Sequence, residues 1–224
     1  MSFHDYPDRE FLELAVAKTL ASDLTKALRA RGRAVLALAG GTTPGPVFDI
    51  LSGVDLDWEN VTVTVTDERW LPPGHERSNA GLLARRLLRA KARLARQLVW
   101  FDPADPTPEA AAARLSGLLA PLAPLDVMLL GMGADMHTAS LFPAAPGLPA
   151  ALAEDAPAVV ALTPADQPEP RLSLSAPMLT GALSCHVMMT GADKRAAYEA
   201  AQALPPETAP IRLVSGLAEV HWAE

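Results

Sequence analysis

Cysteine is almost absent from this chain. Cys185 is the one cysteine in 224 residues, so neither an intramolecular disulfide nor a cysteine zinc cluster can form. It sits in the apolar run 185–189 and is expected to be a buried, inert strand residue. Aromatic residues make up 5%, too few for a base-stacking surface along single-stranded nucleic acid. Positive charge is also short. A net charge of -7 provides no broad basic field for a nucleic-acid partner, although a small anionic substrate needs only a few local cations. The basic stretch 85–96 interleaves Arg with Leu and Ala at helical spacing and reads as the solvated face of a helix. No apolar run approaches the ~18–20 residues of a membrane span. The first twelve residues mix charged and apolar side chains without the core of a signal peptide. The expectation is a cytoplasmic protein with no membrane partner.

What is present is ordinary for a globular protein: 50% hydrophobic and 20% charged residues, with no composition break and no internal repeat. Residues 1–224 are expected to form one domain. A helical stripe covers 8–31 and ends before Gly32. Apolar strands follow at 34–39, 61–66, 97–101, 158–162 and 185–190, with helices at 45–51, 80–95, 109–119 and 193–203 between them. Residues 144–155 read as a loosely ordered connection, 163–170 as a Pro-rich excursion bordering a site, and 211–222 as a last turn and strand. Strands alternating with helices predict an α/β fold: a Rossmann-like, mostly parallel sheet with helices on both faces.

The organising stretch is 125–143, LDVMLLGMGADMHTASLFP. Its apolar start, broken only by Asp126, suits a strand buried on both faces. Gly131-Met132-Gly133 then permits a tight turn, and Asp135, His137, Thr138 and Ser140 follow within six residues. In open α/β sheets ligands bind beyond the carboxyl ends of the strands, so a carboxylate and an imidazole stand there in position for acid/base chemistry. Gly40-Gly41-Thr42-Thr43 lies between a strand and a helix that starts near Pro44. Such a loop is either an anion cradle of N–H groups and hydroxyls or an ordinary turn. It lacks the Lys of a P-loop and the third Gly of a dinucleotide fingerprint. Asp67-Glu68-Arg69 forms a charged cluster at another strand end, and Ser78-Asn79 can cap the next helix or contact a ligand. Lys194 sits in the first turn of a helix, against the helix dipole, which a bound anion would explain. The His and Asp clusters have no metal-ligand spacing, and no metal or cofactor is expected.

Four segments occur in order: AGGTTP, TDERW followed by ERSN, LLGMGADMHTASLFP and TGADKRAA. Together they resemble the 6-phosphogluconolactonases, the single-domain group related to glucosamine-6-phosphate isomerase/deaminase. The resemblance runs from the first helix to the closing Trp222-Ala223, and its most specific piece is HTASLFP after a Gly-x-Gly turn. In the isomerase/deaminase branch the first cluster resembles Asp-Glu-Tyr, and the His precedes a Phe-Asn-Glu-Pro type segment. Arg69 and the sequence ASLFP here fit the lactonase side.

The resemblance implies hydrolysis of 6-phospho-D-glucono-1,5-lactone, a small sugar-phosphate partner, in a monomer or weak homo-oligomer. It implies His137 as general base on water, with Asp135 either orienting the ring or holding the loop, and Asp67 as a further polar contact. Phosphate and sugar would be bound by Gly40, Gly41, Thr42, Thr43, Arg69, Arg171 and Lys194, with Arg77, Ser78 and Asn79 beside them. The alternatives are an amino-sugar-phosphate isomerase/deaminase and a sugar-phosphate binder without turnover. Two departures from the family pattern stand out. Met136 replaces the usual glycine of Asp-Gly-His and would be strained at positive φ. The stretch 163–170 lacks the lysine that some members carry, with Asp166 or Gln167 near that place.

Overall fold

A computed structural model describes residues 2–72, 74–165 and 167–224. The chain begins with β1 (Ser2–Asp5) and the long helix α1 (Arg9–Arg31). Asp8 caps α1 by accepting from the Phe11 N–H at 2.9 Å, and Gly32, left-handed at φ 68°, ends it. Next come β2 (Ala34–Leu38), α2 (Gly45–Ser52), β3 (Val61–Val65) and the three-residue β4 (Asp67–Arg69). Then follow α3 (Asn79–Arg86), β5 (Arg96–Gln97), α4 (Pro108–Leu119) and β6 (Val127–Gly131). The remainder is α5 (Leu148–Leu152), β7 (Val159–Leu162), β8 (Arg171–Leu174), α6 (Ala176–Thr180), β9 (Ser184–Thr190), α7 (Ala192–Ala201), α8 (Arg212–Ser215) and β10 (Glu219–Ala223).

Seven strands form one sheet in the order β1-β10-β9-β6-β2-β3-β5, and every pairing in it is parallel. This is the α/β architecture expected, and the burial explains it. All five residues of β2 are buried, so both faces of the sheet centre are covered, which a continuous Ala/Val/Leu run satisfies and an alternating one would not. Asp126, the polar interruption before β6, is buried but occupied: it accepts the Val35 N–H at 2.8 Å and pairs with Arg31 at the end of α1. Buried Trp100 likewise donates its indole N–H to Thr64 at 2.8 Å.

The structure differs from the sequence expectations in five places. β1 joins the sheet edge through β10. The expected helix 80–95 is α3 followed by a separate 3-10 turn, Ala90–Leu94. The expected strand 97–101 shrinks to the two residues of β5. The connection 144–155 contains α5. Most consequentially, β4, β8 and β7 form a second, antiparallel three-stranded sheet.

The chain leaves β2 towards β3 on one side of the sheet, and β6 has β9 on its other side. A topological switch point therefore lies between β2 and β6. Ligands collect in the crevice at such a point, because the loops from the two strand ends diverge.

Candidate active site

A cleft of about 310 Å³ opens at this switch point. Its walls are the 40–44 loop after β2, the carboxyl end of β6 with its following loop, the β4–β8 pair of the small sheet, and Lys194 of α7. Gly40, Gly41, Thr42, Thr43, Asp67, Arg69, Asn79, His137, Arg171 and Lys194 all line it.

After β6 the chain turns back on itself. The Gly133 N–H donates to the His137 carbonyl at 3.0 Å, and the Met136 N–H donates to the Gly133 carbonyl at 3.0 Å. A Cβ on Gly133 would collide with the His137 ring and the Asp135 carboxylate, so glycine is required at that position. Met136 takes φ 68°, the strained alternative for a side chain replacing the usual glycine.

The turn brings Asp135 Oδ1 to 2.5 Å from His137 Nδ1, and the same carboxylate also accepts the His137 N–H at 3.3 Å. Burial alone would raise the Asp135 carboxyl, but these interactions with His137 hold it below the usual carboxylate range. An ionised carboxylate only accepts, so Nδ1 carries the proton and Nε2 keeps its lone pair. The ring is held on its face by Phe142, with centroids 4.2 Å apart. The Asp135 carboxylate thus contacts both the imidazole and the backbone of the loop.

The small sheet supplies the cations. β4 and β8 pair antiparallel with Arg69 directly opposite Arg171. Strand alternation sends Asp67 and Arg69 to the cleft and Glu68 to the other side. There buried Glu68 accepts from the Ser78 hydroxyl and from the N–H groups of Asn79 and Ala80, at 2.8–3.0 Å. Glu68 is therefore the anchor of the α3 start and no part of the ligand edge. Burial raises its carboxyl, against those three donors and the Arg69 N–H. Asp67 accepts from the Ser140 hydroxyl at 2.6 Å, which links the first charged cluster to the HTASLFP segment.

Arg171 is 5% exposed, and its Nε, like the Arg69 Nε, is buried without a partner among the described residues. Burial, and then the charge of Arg69, lowers the Arg171 guanidinium below its usual value. Burial lowers the Lys194 ammonium too, opposed by the charge of Asp135. Two guanidinium groups with buried donors left over can take an anion.

Two residues expected at the ligand lie elsewhere. Arg77 pairs with Glu169 at 2.7 Å, and Ser78 caps α3, accepting from the Gly81 N–H at 3.0 Å; neither lines the cleft. Asn79 lines the cleft: its amide donates to the Asp67 carbonyl at 2.8 Å, and its side chain fills the space a Cβ on Gly40 would need. Sequence reasoning gave no role to Phe142 or Ser140, although both lie in HTASLFP, the most specific motif. Gln167 bonds Arg171 at 2.5 Å, where some members are expected to carry a lysine. Asp166, the other candidate at that place, lies outside the described residues.

Relatives place this geometry in a family. A 6-phosphogluconolactonase of Mesorhizobium japonicum is 41% identical, aligned over 99% of this chain and 95% of that protein. One of Pseudomonas putida is also 41% identical, over 89% of this chain and 83% of that protein. The crystal structure of a 6-phosphogluconolactonase from Shewanella baltica superposes with a TM-score of 0.95 at 32% identity, covering 100% of this chain and 98% of that one. The family model for glucosamine-6-phosphate isomerases/6-phosphogluconolactonase matches residues 7–222, and the chain belongs to that family.

Proposed function

We propose that this chain hydrolyses 6-phospho-D-glucono-1,5-lactone to 6-phosphogluconate in the oxidative pentose phosphate pathway, acting in the cytoplasm as a single catalytic domain. One observation carries the reading. Two guanidinium groups with unpartnered buried nitrogens share a cleft with an imidazole oriented by a carboxylate. Relatives named for this activity across nearly the whole chain support it.

In this reading Arg69, Arg171 and Lys194 neutralise the phosphate, and the Gly40–Thr43 loop adds N–H and hydroxyl donors. A bound sugar phosphate is then held with its lactone carbonyl towards His137. Nε2 of His137 takes a proton from water as the water oxygen attacks C1. The imidazolium formed is stabilised by Asp135. Collapse of the tetrahedral oxyanion breaks the bond from C1 to the ring oxygen, and that oxygen takes the proton back from His137. The imidazole is regenerated, and no covalent intermediate is formed. Asp67 accepts from the Ser140 hydroxyl on Oδ2 and from the Thr66 hydroxyl on Oδ1, and its remaining lone pairs can accept from a sugar hydroxyl or the attacking water.

The test is lactone consumption, with lactone generated in situ by glucose-6-phosphate dehydrogenase, measured against the spontaneous rate. Glucosamine 6-phosphate serves as parallel substrate. Acceleration of lactone loss alone is the expected result. Ammonia release from glucosamine 6-phosphate without lactone turnover would place the chain in the isomerase branch. Binding without turnover of either would make it a sugar-phosphate binder.

A further inference from the structure

On the side of the large sheet covered by α1, neighbouring strands bring two buried histidines together. His186 of β9 and His221 of β10 are each 1% exposed, and His186 Nδ1 lies 3.2 Å from His221 Nε2. Glu219 is the register partner of His186, so its carboxylate projects from the same face. Among the described residues, His186, Glu219 and His221 form a group whose ligand atoms all lie within 4.8 Å of one another.

We propose that these three side chains form a binding site for a divalent transition-metal ion of the Zn(II) type, separate from the catalytic cleft. Both ends of each imidazole are placed for such an ion. Zn–N bonds of ~2.0–2.1 Å in a tetrahedron put ligand nitrogens ~3.3 Å apart, the spacing these two nitrogens already have. The opposite nitrogens are both held: His186 Nε2 lies 3.0 Å from Asp23 Oδ2, and His221 Nδ1 lies 2.9 Å from the Tyr6 hydroxyl. A carboxylate or hydroxyl behind each ligating histidine is the outer support that metal-binding imidazoles need. Asp23 is itself fixed by the Ser184 hydroxyl at 2.5 Å and by Lys26 at 2.7 Å.

Glu219 is exposed and can close the remaining distance, leaving a fourth position open to water and giving the ion an entry route. Two nitrogens and one carboxylate oxygen suit a borderline ion better than Mg(II) or Ca(II). Without metal, the same atoms form a one-way chain of hydrogen bonds, from Tyr6 O–H to His221, from His221 to His186 and from His186 to Asp23. Metal uptake replaces the middle bond. His221 then carries its proton on Nδ1 and donates to Tyr6, and His186 keeps its tautomer, so both rings stay neutral and bind through their facing nitrogens.

The experiment is titration of chelator-treated, full-length protein with Zn(II) against a chromophoric competitor, and with Co(II) as a spectroscopic probe. Wild type should take up one equivalent, give the visible bands of four-coordinate Co(II), and gain thermal stability with Zn(II). Asp23→Asn should weaken binding ~10–100-fold through loss of the support behind His186. Glu219→Gln, an exposed change, should weaken it at least as much while lactone turnover is unchanged. His137→Asn should leave this binding intact. The proposal is overturned if no equivalent is taken up, if Glu219→Gln and Asp23→Asn bind as wild type does, or if His137→Asn alone removes the binding.

Discussion

Arg69 and Arg171 stand directly opposite each other across the β4–β8 ladder. Like charges in that position repel, and here Arg171 is also buried. The arrangement is costly in the free protein, and on the proposed function a dianion between the two guanidinium groups would offset that cost. The small antiparallel sheet brings these two cations together from distant segments.

Arg69→Ala should therefore act mainly on binding. Losing a charge-assisted hydrogen-bonding group of ~1.5–3 kcal/mol corresponds to a rise in KM of roughly 10–100-fold, with kcat little changed. Steady-state kinetics on the lactone give the split directly. A fall in kcat at constant KM would contradict phosphate anchoring by Arg69.

Met136 at φ 68° makes a second prediction, about stability. The left-handed conformation costs a side-chain-bearing residue ~1–2 kcal/mol, most for a β-branched one. Met136→Gly removes that strain but adds freedom to the unfolded chain worth ~0.5–1 kcal/mol. It should leave urea unfolding within ~1 kcal/mol of wild type. Met136→Ile should lower stability by more than ~1 kcal/mol, because the branch at Cβ crowds the backbone in this region. Equal midpoints for wild type and Met136→Ile would contradict the strained geometry.

Acid should destabilise the metal-free fold through His221. Burial, with the neighbouring His186 and His4, pushes its pKa down from 6.5 to about 3. Between those values the unfolded chain binds a proton that the folded chain does not, so stability falls as pH drops below ~6.5 and continues to fall towards 3. At pH 4.5 the loss from this group is on the order of 2–3 kcal/mol. Urea unfolding at pH 7 and 4.5 measures it, and His221→Asn should flatten the slope. An unchanged slope in the variant would remove His221 from the account.

The central strand and its loop were legible because their signals are local. An apolar run, a Gly-x-Gly turn and polar residues directly after it are read within residues 125–143. The small sheet was not legible. β4 is three residues long and pairs with β8 from a distant segment, so neither has the length or alternation that marks a strand. The same cause hid the inward turn of Glu68, whose partners at 78–80 are known only once β4 and α3 are adjacent. β1 has four residues of mixed polarity and becomes a strand only because β10 offers it an edge. His186 and His221 have no ligand spacing in sequence. Parallel pairing of β9 with β10 makes them neighbours.

The proposed catalysis depends most on His137, whose Nδ1 is turned to Asp135, which leaves Nε2 as the ring nitrogen able to act as base. The most direct measurement is lactone turnover by His137→Ala, generated and followed as for wild type and corrected for spontaneous hydrolysis. The account predicts a loss of ~10²-fold or more in kcat with an unchanged melting temperature and little change in KM. Full activity in that variant would contradict general-base catalysis by His137, whatever the fate of the phosphate site.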